Sequence, residues 1–409
     1  MVLGIGEKYN NTLLKNPDLS EKTFSYIRKE YERNKIMMGN RLLPFFLTPN
    51  FISESRDNLI MQSSERMAGI LEKIGKNILR KSHESRLNVI NRMDFFFHEG
   101  KIKFIEFNAD SPSGAGRLDI INKIFSEIPI ISGIKENKEM RESLLEALFN
   151  SYKEWGGKKE KPTIALIDWK GVKTISDQKL IAQYFNGRGF RTILADPREL
   201  KYKKGKMFSG ETEIDILYKR VIIKELLDKK EECRDLFSAI SDNSIFISNP
   251  LESGILGEKK LISRMASGEF DKILTEDEKS FLREYLPWSK EVNVNLKEKI
   301  ISEKNKLVLK PDEGYGGEGV KIGKFLSEEE WKKAVDISIS DSGWTVQEYI
   351  DVPAIKIFDK GKITKKFMSM SSFVFGGKYA GCMTRVSDDP VVNTSKGGGI
   401  IPTFVLKKG

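Results

Sequence analysis

The chain has 409 residues, a formal net charge of +10, 39% apolar and 31% charged residues, two cysteines and two histidines. The length exceeds one hydrophobic core and implies about two to three domains. Two distant cysteines, Cys233 and Cys382, exclude a disulfide framework or a CxxC zinc site, and His83 and His98 leave little room for histidine chemistry.

The N-terminus lacks the basic and apolar regions of a signal peptide, and the longest uncharged apolar stretch, Leu42 to Ser53, is too short to span a bilayer. A cytoplasmic protein is the expectation. The positive charge favours acidic partners such as nucleotides, phosphates or an acidic carrier protein. Lysines interleaved with glutamates, as in KELLDKKEECRD, read as solvated surface and argue against nucleic acid.

Residues 1–90 read as a helical region, with helical spacing over FSYIRKEYERNKIMMGNRLL and DNLIMQSSERMAGILEKIGKNILRKS. The segment from Asn91 to Gly116 follows. Strands over Phe95 to Phe97 and Ile102 to Asn108, joined by the three-residue loop Glu99-Gly100-Lys101, set Asp94 opposite Glu106 and Arg92 opposite Asn108. Met93, Phe95, Ile105 and Phe107 then form the apolar face that protects this register against a slip. Opposed carboxylates call for a cation, and Asp94, Glu106 and Asn108 are hard oxygen donors of the kind magnesium takes. A plain exposed hairpin with scattered charges is the alternative.

KEMRESLLEALFNSYKEWGG reads as a helix with a glycine stop, and KKEKPT marks a boundary near residue 160. Over 161–250 the runs TIALIDWK, RTILADP and EIDILYKRV alternate with helix, which predicts a Rossmann-like parallel sheet. From Ser289 onward, glycine-punctuated strands predict an antiparallel α+β sheet. Four segments are expected: 1–90, 91–160, 161–250 and 251–409.

KLVLKPDEGYGGEGVKIGKF places Gly314, Gly316, Gly317 and Gly319 between two strand-like runs. It is not a dinucleotide fingerprint, because no helix follows, nor a Walker A loop, which ends in Gly-Lys-Ser/Thr. Strand, glycine loop, strand is a flap that covers nucleotide phosphates with backbone N–H groups, and Lys310 on its first strand can reach those phosphates. Gln347, Glu348 and Tyr349 close a strand and suit an adenine edge. Arg385, followed by Asn393 and Gly397 to Gly399, can close on an anionic substrate through its planar fork.

Together these blocks resemble the circularly permuted ATP-grasp ligases, most closely the synthetase domain of glutathionylspermidine synthase, from about residue 90 to the C-terminus. The resemblance implies an α/β and α+β ATP-grasp fold with a Rossmann-like pre-ATP-grasp domain, and an N-terminal helical region outside the likeness. Its most specific stretch is Arg92-x-Asp94 followed by Glu106-x-Asn108-Ala109-Asp110-Ser111. The family likeness implies magnesium on Asp94, Glu106 and Asn108, and Arg92 against the reacting carboxylate. It implies Ser111 and Ser113 on the carboxylate substrate, and Lys310 with Lys259, preferred over Lys260, on ATP. Gly316, Gly317 and Gly319 would cover the phosphates. Asp215, Tyr218 and Arg220 match its D-x-x-Y-x-R stretch, with Arg220 and Asn393 toward substrate, and Arg385 matches its catalytic arginine. No amidase domain with a catalytic Cys and His is expected before the ligase part.

The implied activity is ATP- and magnesium-dependent ligation of a small carboxylate to an amine through an acyl phosphate, releasing ADP and phosphate. Two alternatives stand beside it: transfer of the activated acyl group to a carrier-protein thiol, and a nucleotide- or nucleic-acid-binding protein without catalysis.

Overall fold

The computed structural model describes residues 2–80, 86–131, 133–135, 139–312, 317–393 and 398–407. Its largest sheet has six strands, in the order Gly399–Ile401, Lys378–Ser387, Lys362–Phe375, Ile90–His98 and Lys101–Asn108, with Ala354–Asp359 paired to the other end of the long Lys362–Phe375 strand. The early hairpin is therefore built into the same sheet as strands from the end of the chain. Ser371 lies opposite Asp94 and Phe373 opposite Arg92.

The hairpin keeps the pairs Arg92 with Asn108 and Asp94 with Glu106, yet reaches them by a different route from the one expected. Its strands run Ile90–His98 and Lys101–Asn108, and the loop is two residues, Glu99 and Gly100, both at positive φ (49° and 79°). Two positive-φ residues match the right-handed twist of the flanking strands. Continued unbroken, that turn would set Asp94 against Ile105. A bulge next to Phe95 shifts the register so that Glu106 takes that place. Ile105 consequently leaves the apolar face, where the buried Ile102 and Phe104 join Met93, Phe95 and Phe107.

That apolar face is covered by the helix Glu54–Leu79, whose Ile60, Met67, Leu71 and Ile74 are buried against Met93, Phe95 and Phe104. Ser53 caps it, accepting from Arg56 N at 3.2 Å. The helix expected across residues 24–43 stops at Arg33, and Met37–Met38 and Arg41–Leu42 form a small antiparallel ladder. Lys35 at φ 54° and Gly39 at φ 60° break the helical path there. The strand Asn50–Ser53 pairs in parallel with Thr403–Leu406, and Asn10 Nδ2 donates to Lys356 O at 2.8 Å, so the N-terminal region packs on the C-terminal strands.

Residues 161–250 contain a parallel sheet in the order Phe246–Ser248, Ile216–Lys219, Ile164–Ile167, Thr192–Ala195. Ile164 to Ile167 are all fully buried, as a strand covered on both faces requires. An antiparallel three-stranded sheet over Leu200–Lys203, Lys206–Ser209 and Thr212–Ile214 is inserted, which hydrophobic patterning did not reveal. A separate antiparallel sheet orders Ser289–Glu291, Trp344–Glu348, Leu307–Pro311 and Lys321–Ile322. The helix Glu328–Ser340, opened by a Ser327/Glu330 capping box, buries Trp331 and Val335 against Leu307, Leu309 and Val346. Among the described residues, no helix is long and apolar enough to cross a membrane.

Candidate active site

The polar face of the large sheet gathers charge around Asp94, which is 2% exposed. Arg92 donates from Nε to Oδ1 at 3.0 Å and from Nη2 to Oδ2 at 3.3 Å. Arg385, two strands away, donates from Nη2 to Oδ2 at 2.7 Å and to Ser371 Oγ at 3.3 Å. Burial alone would raise the Asp94 carboxyl, but Arg385, Arg92 and the Ser371 hydroxyl outweigh it and hold the group down at about 2. Ser371 was not anticipated. The signal for it is the alternation in FMSMSSF, where Ser369 and Ser371 fall on the face opposite Met368 and Met370.

Two lysines, from the strand Leu307–Pro311 and the helix Lys259–Ala266, approach the same face. Lys310 Nζ donates to Ile105 O at 3.1 Å and to Gln347 Oε1 at 2.6 Å. Desolvation lowers it to about 8, partly opposed by Glu106 and Asp94 and reinforced by Lys259. Lys259 opens the helix Lys259–Ala266 and donates to Pro311 O at 2.8 Å; desolvation lowers its pKa, against the pull of Glu106 and Asp312. Lys260 instead pairs with Glu258 at 3.2 Å at the surface.

The Glu106 side chain forms no hydrogen bond or close ion pair among the described residues, and Asn108 has a buried Nδ2 without a partner. Among the described residues no three His, Cys, Asp or Glu side chains converge as a metal cluster. The donor set here is instead two carboxylates and a carboxamide. An ionised Asp94 and an unpaired Glu106 across the ladder, with the carboxamide oxygen of Asn108 two residues along from Glu106, are the oxygen donors a hard cation that keeps part of its water shell would take; the orphaned Nδ2 of Asn108 is a donor and calls for an acceptor instead. Both Asp94 oxygens already accept from guanidiniums, Oδ1 from Arg92 and Oδ2 from Arg92 and Arg385, so a cation bound there would share them.

The strands that flank the glycine loop pair, with Val308 opposite Ile322 and Leu309 opposite Lys321. Gly316 and Gly314 lie outside the described residues. Gly317 and Gly319 have φ of 77° and 73°, and a Cβ on Gly317 would collide with Val391, so the flap rests against the loop leading to Asn393. At the strand end, Gln347 is buried on Lys310. Glu348 is exposed, with its N donating to Trp288 O at 2.8 Å and its Oε2 accepting from Trp288 N at 3.2 Å. Tyr349 N donates to Lys306 O at 2.7 Å, and its ring stands edge-on to Phe325 at 6.1 Å.

Ser111 and Ser113 sit on the loop that joins the hairpin to the helix Ala115–Ser126, where it meets the C-terminal ends of the parallel strands. Ser111 Oγ donates to Arg220 O, and Arg220 Nη1 donates to Pro112 O and, at 3.4 Å, to Tyr218 Oη, leaving a buried Nε without a partner. Asp215 lies away from Tyr218 and Arg220, accepting from Thr163 N at 2.8 Å and pairing with Lys159 at 2.8 Å. His83 and Gly397 fall outside the described residues; His98 ends the first hairpin strand, opposite Lys101.

Several residues that hold this loop escaped sequence reasoning. Lys219, 1% exposed, pairs with Asp110, whose other oxygen accepts from Ile223 N at 3.0 Å. Asp177 accepts from Gly114 N at 2.9 Å, Gly116 N at 3.1 Å and Arg117 Nε at 3.2 Å, and a Cβ on Gly116 would strike its carbonyl. Asn249 Nδ2 donates to Ile90 O at 2.7 Å and Ala109 O at 2.6 Å, and its Oδ1 accepts from Ile90 N at 2.9 Å. Asn249 thus clamps both ends of the hairpin.

A family model described as glutathionylspermidine synthase preATP-grasp matches residues 52–398. Uncharacterized proteins of Mycobacterium tuberculosis and Mycobacterium bovis are each 23% identical over 339 residues, covering 76% of this chain and 58% of theirs. The chain thus spans less than two thirds of the length of these curated relatives. A glutathione synthetase-like effector from Globodera pallida, solved in its apo form, superposes with a TM-score of 0.70 at 11% identity, covering 94% of this chain and 96% of that one. The fold is that of the mixed α/β, ATP-grasp-like synthetases.

Proposed function

The chain belongs to the glutathionylspermidine synthase preATP-grasp family, and from that premise we propose that it is an ATP-dependent carboxylate–amine ligase with a circularly permuted ATP-grasp arrangement. The observation that carries this reading is the convergence of Arg92, Asp94, Glu106 and Arg385 with Lys310, supplied by a separate sheet that also carries a glycine flap.

In the proposed reaction the substrate carboxylate attacks the γ-phosphorus of ATP, ADP leaves, and an acyl phosphate forms. The amine then attacks the acyl carbonyl, phosphate departs, and the nitrogen loses a proton to give the amide. Magnesium, held by Asp94, Glu106 and Asn108, would supply charge neutralisation at the transferring phosphoryl group. Arg92 and Arg385 orient the two anionic reactants and stabilise oxygens that gain charge. Lys310 and Lys259 hold the nucleotide phosphates under Gly316, Gly317 and Gly319. Gln347, Glu348 and Tyr349 border the adenine, and Ser111, Ser113, Arg220 and Asn393 line the substrate side. No residue needs to act as a covalent nucleophile.

Equilibrium binding of ATP in the presence of magnesium tests the nucleotide half of this reading. Wild-type protein should bind ATP, and Lys310→Ala should weaken binding at least about tenfold through loss of a charge-assisted contact. ATP binding that is absent from the wild type, or indifferent to Lys310, would refute it.

A further inference from the structure

Ser369 lies directly opposite Arg385 in the ladder between Lys362–Phe375 and Lys378–Ser387, and two residues from Ser371, which accepts from Arg385 Nη2 at 3.3 Å. Cross-strand partners and residues two apart share a face of the sheet. Ser369 therefore stands on the face that carries Asp94 and Arg385. It is 3% exposed, and neither its Oγ nor the buried Arg385 Nε makes a hydrogen bond among the described residues. The neighbouring residues of the same strand offer no partner, because Lys366 is committed to Asp388 at 2.9 Å and Ser371 to the Asp94–Arg385 pair.

Buried donors in native proteins are almost always paired, and two orphans side by side call for one shared ligand. A guanidinium Nε–H only donates, so the shared atom must be an acceptor. Over the whole face, Arg92, Arg385, Lys310 and Lys259 outnumber the carboxylates Asp94 and Glu106, and this positive excess selects an anion. We propose that Ser369 Oγ–H and Arg385 Nε–H together bind one anionic oxygen, of a phosphoryl group or of a carboxylate, so that Ser369 is a second binding residue beside Arg385. The identity of the reacting group rests on the ligase reading; the anion site itself does not.

The test uses the full chain as wild type, Ser369→Ala and Ser369→Thr, titrated separately with inorganic phosphate and with acetate by calorimetry, alongside melting curves without ligand. Ser369→Ala should weaken binding about ten- to a hundredfold, the range for one hydrogen bond to a charged oxygen, while Ser369→Thr keeps it. Loss for phosphate assigns the phosphoryl source, and loss for acetate the carboxylate source. Because the hydroxyl is unpaired in the ligand-free protein, Ser369→Ala should melt at the same or a higher temperature. A lower melting temperature with unchanged anion affinity would make the hydroxyl structural and overturn the proposal, as would a wild type that binds neither anion. If the wild type turns over ATP while Ser369→Ala keeps wild-type anion affinity, this site falls and the ligase stands. If anion binding depends on Ser369 but no ATP binds, the ligase falls and this site stands.

Discussion

Arg385 and Asp94, 291 residues apart in sequence, meet at 2.7 Å across the large sheet, on a carboxylate whose other oxygen Arg92 holds at 3.0 Å. This arrangement separates the roles of the two opposed carboxylates. Asp94→Asn removes the negative charge that two partly buried guanidiniums share and should cost about 3 kcal/mol of stability. Glu106→Gln breaks no such pair and should leave unfolding within about 1 kcal/mol of wild type. Both should abolish ATP consumption; denaturant melts beside ATP turnover distinguish them, and equal melts for the two variants would contradict the account.

Acid stability follows from the same cluster. The folded Asp94 carboxyl lies near 2, below its ordinary value of 3.8, so the unfolded chain takes up this proton first as pH falls. Its contribution is complete above about pH 4 and is lost as pH falls toward 2, amounting to about 2 kcal/mol. Arg385→Met should flatten this part of the stability–pH curve.

Lys310 acts in the opposite sense. Desolvation brings its ammonium down to about 8 from 10.5, so it is charged at neutral pH and loses its proton above pH 8 while the unfolded chain keeps it. Stability therefore gains from this group as pH rises between 8 and 10.5. ATP affinity should fall over the same interval as the positive charge disappears, and binding near pH 8 should take up a proton. Calorimetry in buffers of different ionisation enthalpy measures that uptake, and Lys310→Arg should abolish it.

The flap depends on backbone that only glycine adopts cheaply. Gly319 has φ 73° and a Cβ there would stand 2.7 Å from Pro311 Cγ. Gly319→Ala should cost about 1 kcal/mol or more at this turn and raise the KM for ATP while leaving the large sheet intact. An unchanged KM would place the flap away from the nucleotide.

Asn249 carries the opposite expectation. Asn249→Ala strands the N–H and C=O of Ile90 and leaves Ala109 O only the Ser253 hydroxyl at 3.3 Å, and should destabilise the chain by about 2 to 4 kcal/mol. Chemical denaturation gives the value directly.

What could be read in the sequence was local. Alternation and a glycine turn paired Asp94 with Glu106 and Arg92 with Asn108, and the buried apolar runs at Ile164 and Ile216 foretold parallel strands. The bulge at Ile105 was hidden, because a two-residue turn plus a bulge and a three-residue turn leave the same pairs in register. Long-range partners were out of reach. Nothing near Arg385 names Asp94, and Asn249 looks like an ordinary loop residue until the fold brings Ile90 and Ala109 to its amide. The same limit hid the burial of Ser369, since an alternating strand shows which residues share a face but not which face is covered.

The central claim is tested most directly by incubating the protein with ATP, magnesium and a pooled set of small carboxylates and amines, with nucleotides, phosphate and products followed together by mass spectrometry. The account predicts a product equal to acid plus amine less water, formed with stoichiometric ADP and phosphate. Formation of AMP and pyrophosphate would contradict the acyl-phosphate route, and ADP release with no condensed product would contradict ligation itself.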